Sequence, residues 1–212
     1  MDSSRLILVL ILSYLLGAIP FAVLVGKRVR GVDIQRTGSG NAGAMNTFRS
    51  VGRMAGVMVA LLDLAKAGLA MLLARQVLGP EAAPLCGAAA VAGHCFSPYL
   101  LFATRGERGG GWKMALRRSG GKGLASGMGA LLFIDWRLVL AATVMFLLSL
   151  LILRKDETWP TIITVVLTLP LVWWFTRNWS TTIAVLLVSI IVIVKHLPDA
   201  RTGFNVTMTK NQ

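Results

Sequence analysis

The sequence predicts an all-α fold, a polytopic integral-membrane helix bundle of about seven transmembrane helices. Three observations predict it. Hydrophobic residues make up 55% of the 212 positions, with a mean hydropathy of +0.70, above the roughly 45–50% of a soluble globular domain. The apolar residues collect in long runs, which is how a membrane span reads. The positive charges cluster between alternate runs, as cytoplasmic loops require.

The runs fall at 5–26, 51–78, 85–103, 121–134, 137–153, 159–175 and 180–196. The first is too long for a signal peptide. Its charges, Lys27, Arg28 and Arg30, follow it rather than precede it, so it reads as a retained first span. The second contains Asp63 and Lys66 at i and i+3 on one helical face. Ionisable groups within a membrane turn inward, and these two are expected to neutralise each other, with orientation of the first loop as the other role open to them. The third carries both cysteines, Cys86 and Cys95. On one helix they stand about 13 Å apart, too far for a disulfide. The fourth is short and glycine-rich, so it is expected to be partly inserted or packed inside the bundle. The last three have ordinary spanning lengths.

The net charge is +13. Lys27, Arg28, Arg30, Arg36, Arg49 and Arg53 lie between the first two runs, and Arg105, Arg108, Lys113, Arg117, Arg118 and Lys122 between the third and fourth. Arg154 and Lys155 follow the fifth run, and Lys195, Arg201 and Lys210 end the chain. The opposite loops hold only Arg5, Arg75, Arg137 and Arg177. Seven spans satisfy this alternation, with the N-terminus outside and the C-terminus cytoplasmic. The basic balance then reflects topology and attraction to anionic membrane lipids. A nucleic-acid partner is excluded, because no soluble stretch is long enough to form a reading domain. The chain reads as one domain over 1–212, with a basic, glycine-containing cytoplasmic insertion at 103–119.

Three motifs fall on the cytoplasmic side. "GSGNAGAMNTFR" (38–49) matches the dinucleotide pattern G-x-G-x-x-G, but no strand precedes it and no βαβ unit surrounds it, so that reading fails. The underlying physics survives. Glycines bring backbone N–H groups close to an anion, and Arg49 offers a planar fork for phosphate. Gly38, Ser39, Gly40, Asn41, Gly43, Asn46 and Arg49 are therefore candidate substrate-binding residues, against the alternative of a flexible polar connection. "GHCFSPYLLF" (93–102) offers His94, either a ligand or a packing histidine. "RRSGGKGLASGMG" (117–129) offers Gly120, Gly121, Lys122 and Gly123. It is no Walker A loop, since Gly123 stands where Ser or Thr would bind magnesium. Lys122 is a phosphate contact or a snorkelling topological charge. His196 follows the last run in "KHLPDARTG". No Cys/His cluster has metal spacing, so no metal is expected.

In combination these motifs resemble the bacterial acyl-phosphate:glycerol-3-phosphate acyltransferases, the PlsY family, whose pattern runs "GSGNxGxTNxxR", "DxxKG", then "GHxFPxxxxFxGGKGxAT". Gly38 to Arg49 match the first, with Met45 for Thr. Asp63 and Lys66 match the second, with Ala67 for Gly. Gly93, His94, Phe96 and Gly120 to Gly123 match the third. The resemblance covers most of the chain to about residue 130. This chain departs from the pattern in an extra residue before Pro98, in the 103–119 insertion and in Ser126 for Thr. The later "RYxSLxS" motif has only "LRKDETWPTIIT" as counterpart, where Thr158 or Thr161 would stand in. The terminal "HRxNI" becomes "KHLPDA", which keeps His196 and puts Asp199 at the Asn position.

The resemblance implies a reaction. The 1-hydroxyl of glycerol 3-phosphate attacks the carbonyl of a long-chain acyl phosphate, and lysophosphatidate and phosphate leave. An acyl phosphate is a mixed anhydride with a good leaving group, so neither a covalent intermediate nor a cofactor is implied. The site must supply positioning and charge neutralisation. His196, Lys122 and Arg49 are the candidate catalytic residues, with His196 orienting a substrate or assisting proton transfer. The implied partners are glycerol 3-phosphate, long-chain acyl phosphate and membrane lipids, at the cytoplasmic face of the bacterial inner membrane. An anion transporter would use similar residues, but no inverted repeat of the motifs is present and they gather on one face instead of the midplane. A non-catalytic relative or a scaffold that merely binds acidic lipids is the remaining alternative.

Overall fold

The computed structural model describes residues 2–103, 111–153 and 157–200. These residues form α1 (Ser3–Ala18), α2 (Phe21–Arg30), a 3₁₀ turn at Ile34–Arg36, α3 (Ala44–Ser50), α4 (Arg53–Leu78), α5 (Ala83–Cys95), α6 (Pro98–Ala103), α7 (Gly111–Arg118), α8 (Leu124–Ile134), α9 (Trp136–Leu153), α10 (Thr158–Thr176) and α11 (Trp179–Ala200). No strand occurs among the described residues. Six stretches are long and apolar enough to cross a membrane: Ser3–Arg30, Arg53–Leu78, Ala83–Phe102, Trp136–Leu153, Thr158–Thr176 and Trp179–Ala200. All seven expected segments are helical. The fourth, α8, has 11 residues, about 16 Å of helix, which is short of a span by itself.

Two expected helices are interrupted. The first breaks at Ile19–Pro20, because Pro20 has no N–H to donate. The carbonyls this frees inside the bundle are satisfied by side chains: Ser97 Oγ donates to Ala18 at 2.7 Å and Lys66 Nζ to Ile19 at 3.2 Å. The third breaks between Cys95 and Pro98, where the Tyr14 hydroxyl donates to the Phe96 carbonyl. At both breaks the bare carbonyls thus meet a side-chain donor from elsewhere in the bundle, as a membrane interior demands.

α4 is the central helix, packed on α1, α5 and α8. Close approach is made by small residues. Gly17 of α1 meets the backbone of Ala90, Gly93 of α5 meets Tyr14, and Gly129 of α8 meets Leu64. Ala67, Ala70, Ala74 and Ala90 are buried, while Leu8, Leu61, Leu147, Ile152 and Trp174 are exposed. That inversion suits lipid, where packing of small residues replaces the hydrophobic drive. At the turn into α9, Arg137 grips both oxygens of Asp135, at 2.6 Å and 3.0 Å. Hydrogen bonding to Arg137 holds the Asp135 carboxyl below its usual range.

Part of the insertion, residues 104–110, lies outside the described residues. The rest is not a flexible connection: Gly111–Arg118 form α7, docked on α11.

A candidate anion site at the meeting of the glycine loops

A cavity of about 600 Å³ lies where the three sequence motifs meet. Its first wall is the 38–49 loop, and Asn46 builds it. The Asn46 amide nitrogen is within hydrogen-bond distance of the carbonyls of Ile34 (3.0 Å), Thr37 (2.9 Å) and Asn41 (3.0 Å). Its Oδ1 accepts from Ser39 N–H at 3.1 Å. Every polar atom of this buried side chain is thus spent on the loop, which makes Asn46 an organiser of the site and leaves no donor for a ligand. Gly38 has φ 61°, and a Cβ there would collide with Asn46 Oδ1. Asn41 faces the cavity, and its Nδ2 is buried without a hydrogen-bond partner.

The second wall comes from α4 and α5. Asp63 Oδ1 lies 2.9 Å from Lys66 Nζ and 3.4 Å from His94 Nδ1. The expected Asp63–Lys66 pair is present and extends to a third member, because Lys66 Nζ stands 2.8 Å from His94 Nδ1. All three are buried, and Asp63 and His94 line the cavity. The third wall is the 119–123 loop. Gly121 N–H donates to the His94 carbonyl at 3.0 Å. A Cβ on Gly121 would overlap the His94 imidazole, and one on Gly120 the His94 and Cys95 carbonyls. The double glycine is a packing requirement of His94.

Two cations line the cavity, and both reach Glu157. Arg49 is 62% exposed and has Glu157 at 3.8 Å. Lys122 Nζ lies 2.6 Å from Asp199 Oδ2 and 4.0 Å from Glu157 Oε1. Sequence reasoning gives Glu157 no role at all, and Asp199 only as a departure from the motif. The signal is present but faint: the chain has just 9 acids, and these two border regions matched to late motifs. Lys195 is 1% exposed. It donates to Leu116 O, Ser119 Oγ (3.0 Å) and Gly120 O (3.2 Å), tying α11 to the loop that carries Lys122.

Ser39, Asn41, Gly43, Asn46, Arg49, His94, Lys122 and Gly123 therefore share one cavity wall or another. Gly38, Gly40, Gly120 and Gly121 shape those walls without lining them. His196 is not brought to the lining. It is fully buried on α11, with Nδ1 2.7 Å from the Val192 carbonyl and Nε2 without a partner. That contact protonates Nδ1 and leaves Nε2 an acceptor.

Gly123, Leu124 and Phe146 also line a second cavity of about 250 Å³, an apolar groove between α8, α9, α10 and α11. Thr158 stands in the polar cavity and Thr161 in the groove. No group of three or more His, Cys, Asp or Glu able to hold a metal occurs among the described residues. The two cavities therefore adjoin, with Gly123, Leu124 and Phe146 in both linings.

The chain is similar to known proteins. Residues 7–205 match the family model described as glycerol-3-phosphate acyltransferase. Glycerol-3-phosphate acyltransferase 1 of Deinococcus radiodurans is 45% identical over 130 residues, which span 61% of this chain and 57% of that protein. Glycerol-3-phosphate acyltransferase of Geobacillus kaustophilus is 34% identical over 206 residues, 96% of this chain and 94% of that protein. The crystal structure of PlsY (YgiH), an integral membrane glycerol 3-phosphate acyltransferase, in its glycerol 3-phosphate form superposes with a TM-score of 0.75 at 24% identity, covering 98% of this chain and 94% of that one. Its lysophosphatidic acid form gives 0.75 at 23%, covering 98% and 93%. With the match running through all three glycine motifs and on to the last helix, the chain belongs to the glycerol-3-phosphate acyltransferase family as a multi-pass membrane protein.

Proposed function

We propose that this protein transfers a fatty acyl group from an acyl phosphate to the 1-hydroxyl of glycerol 3-phosphate at the cytoplasmic face of the membrane. The observation that carries the reading is the junction at Gly123, Leu124 and Phe146, where the Arg49–Lys122 cavity meets the apolar groove. The groove takes the alkyl chain, and the cavity takes the phosphates. In the reaction the glycerol hydroxyl oxygen bonds to the acyl carbon and gives up its proton, the bond from that carbon to the phosphate oxygen breaks, and phosphate departs with the electron pair and takes up the proton.

Arg49 and Lys122 neutralise the phosphates, and both change partner to do so, exchanging Glu157 and Asp199 for substrate oxygens. Charge neutralisation is the main catalytic contribution such a site makes. Loop N–H groups and the unpartnered Asn41 amide add donors. Asp63 fixes the His94 ring against the cavity. His196 stays a candidate for orienting a substrate or assisting proton transfer through Nε2, which has no hydrogen-bond partner within the protein. The positive-inside pattern of the loops supports the cytoplasmic placement.

Purified protein in lipid should release phosphate only when glycerol 3-phosphate and an acyl phosphate are both present, with lysophosphatidate formed in equal amount. Phosphate release from acyl phosphate alone, or glycerol 3-phosphate flux into sealed vesicles without acylation, overturns the reading.

A further inference from the structure

Asp199 holds two cations on its two oxygens. Oδ2 takes Lys122 at 2.6 Å, and Oδ1 takes the Arg117 fork through Nη2 and, at 3.1 Å, through Nε. The three side chains are 20–24% exposed, so water and salt screen them only in part. Arg117 belongs to α7, hence to the insertion that the family pattern lacks. Asp199 stands where that pattern has Asn. The two departures meet at one carboxylate, and the third member of the contact is the lysine assigned to phosphate.

α7 has anchors besides Arg117. The C-terminal carbonyls of a helix attract cations and donors, and those of α7 already have them. Leu116 O accepts from Lys195, and Arg118 O accepts from Gln35 Nε2 at 2.8 Å. Ser119 O, just past the helix, accepts from Ser97 N–H at 2.8 Å. The guanidinium acts on Asp199 as a charge.

A lysine that binds phosphate cannot also be committed to a carboxylate. A carboxylate shared with an arginine fork holds its lysine less firmly than one with no other cation, because the fork takes the stronger, two-donor bond. We infer that Arg117 and Asp199 form a counter-charge couple. Asp199 holds Lys122 until substrate arrives, and Arg117 loads Asp199 so that substrate phosphate can take the lysine away from it. The insertion is thereby a working part of the site, and the acid at position 199 is matched to it. The inference rests on the reading of Lys122 as a phosphate ligand.

The test is a cycle of Arg117→Gln, Asp199→Asn and the double variant. Steady-state constants are measured for glycerol 3-phosphate and for an acyl phosphate in turn, and glycerol 3-phosphate binding in detergent is followed by calorimetry. Arg117→Gln takes the guanidinium fork off Asp199 Oδ1. It should raise the KM for the phosphate that Lys122 holds on the order of tenfold, with kcat little changed. Adding Asp199→Asn should restore that KM. Arg117→Lys, which keeps the charge, should lie between wild type and Arg117→Gln. A mere tether between α7 and α11 predicts the opposite: Asp199→Asn is as harmful as Arg117→Gln, and the double variant is no better. Wild-type kinetics in Arg117→Gln, or a double variant without recovery, overturns the couple. Should Arg117→Gln not fold, Asp199→Asn decides alone, because the couple forbids it to raise either KM and a tether demands that it does. A wild-type protein that neither binds glycerol 3-phosphate nor acylates it fails the functional reading instead.

Discussion

Lys66 Nζ lies 2.8 Å from His94 Nδ1, and both groups converge on the same Asp63 oxygen. A cation, an imidazole and a carboxylate are thus packed inside the bundle on two helices, with Lys66 also reaching the carbonyl freed by the α1–α2 break. Removing one member leaves the others uncompensated in a poor solvent for charge. Asp63→Asn should destabilise the protein by about 3–5 kcal/mol, read as a fall in unfolding temperature in detergent. The double variant Asp63→Asn/Lys66→Met should lose less than the sum of its single variants. Additive losses would show that the two side chains do not share one network.

Gly121 is the point where the Lys122 loop touches His94. Gly121→Ala places a methyl group into the imidazole, and the ring and loop must part. Overpacking of this kind costs about 1–3 kcal/mol. Stability should fall by that amount, and turnover should fall further than stability accounts for, because Lys122 moves with the loop. A variant with normal kinetics and normal unfolding would mean that the loop is free to shift.

Much of this was legible because membrane spans and glycine loops write themselves in composition and spacing. The seven apolar segments, the inward Asp63–Lys66 pair and the meeting of three separated motifs follow from the residues alone. The helix breaks do not, because Ala18, Ile19 and Phe96 are unremarkable in sequence and depend on Ser97, Lys66 and Tyr14 arriving from elsewhere to satisfy bare carbonyls. The same holds for Asn46. Its spacing suggests a ligand donor, but the folded loop consumes both ends of its amide. Glu157 and Asp199 escape a linear reading because they are distant in sequence and act only as counter-charges. The fate of the insertion is hidden for a similar reason: α7 is short and polar, and Lys195 on a remote helix is what docks it.

Arg49 is mostly exposed, and its nearest acid, Glu157, is 3.8 Å away, so little holds it from a ligand. Arg49→Lys keeps the charge and loses the planar fork. If Arg49 grips phosphate with two donors, turnover of glycerol 3-phosphate should drop by one to three orders of magnitude, about 1.5–4 kcal/mol. Glu157→Gln should act in the other direction and lower the KM, since it removes a carboxylate that competes with substrate for Arg49. Unchanged kinetics in Arg49→Lys would reduce that residue to a topological charge.

The orientation of the chain decides which compartment the site faces, and α4 provides the ruler. It runs from Arg53 to Leu78 as one unbroken helix of 26 residues, about 39 Å long and sufficient to cross a bilayer. Gly31 precedes it on the side that gathers Lys27, Arg28, Arg30 and Arg36, and Glu81 follows it on the side where Arg75 is the nearest cation. Both native cysteines are buried, so they give little background to a charged thiol reagent that cannot cross membranes. Gly31→Cys should be labelled only after the cells are opened, and Glu81→Cys in intact cells. A Cβ at Gly31 meets nothing within 4 Å, and the strain of a side chain at its φ of 66° falls on a helix end rather than on the packed bundle. Labelling of both positions from the same side would break the seven-span alternation, and labelling with the sides exchanged would put the Arg49–Lys122 cavity outside the cell, away from any cytoplasmic supply of its phosphorylated substrates.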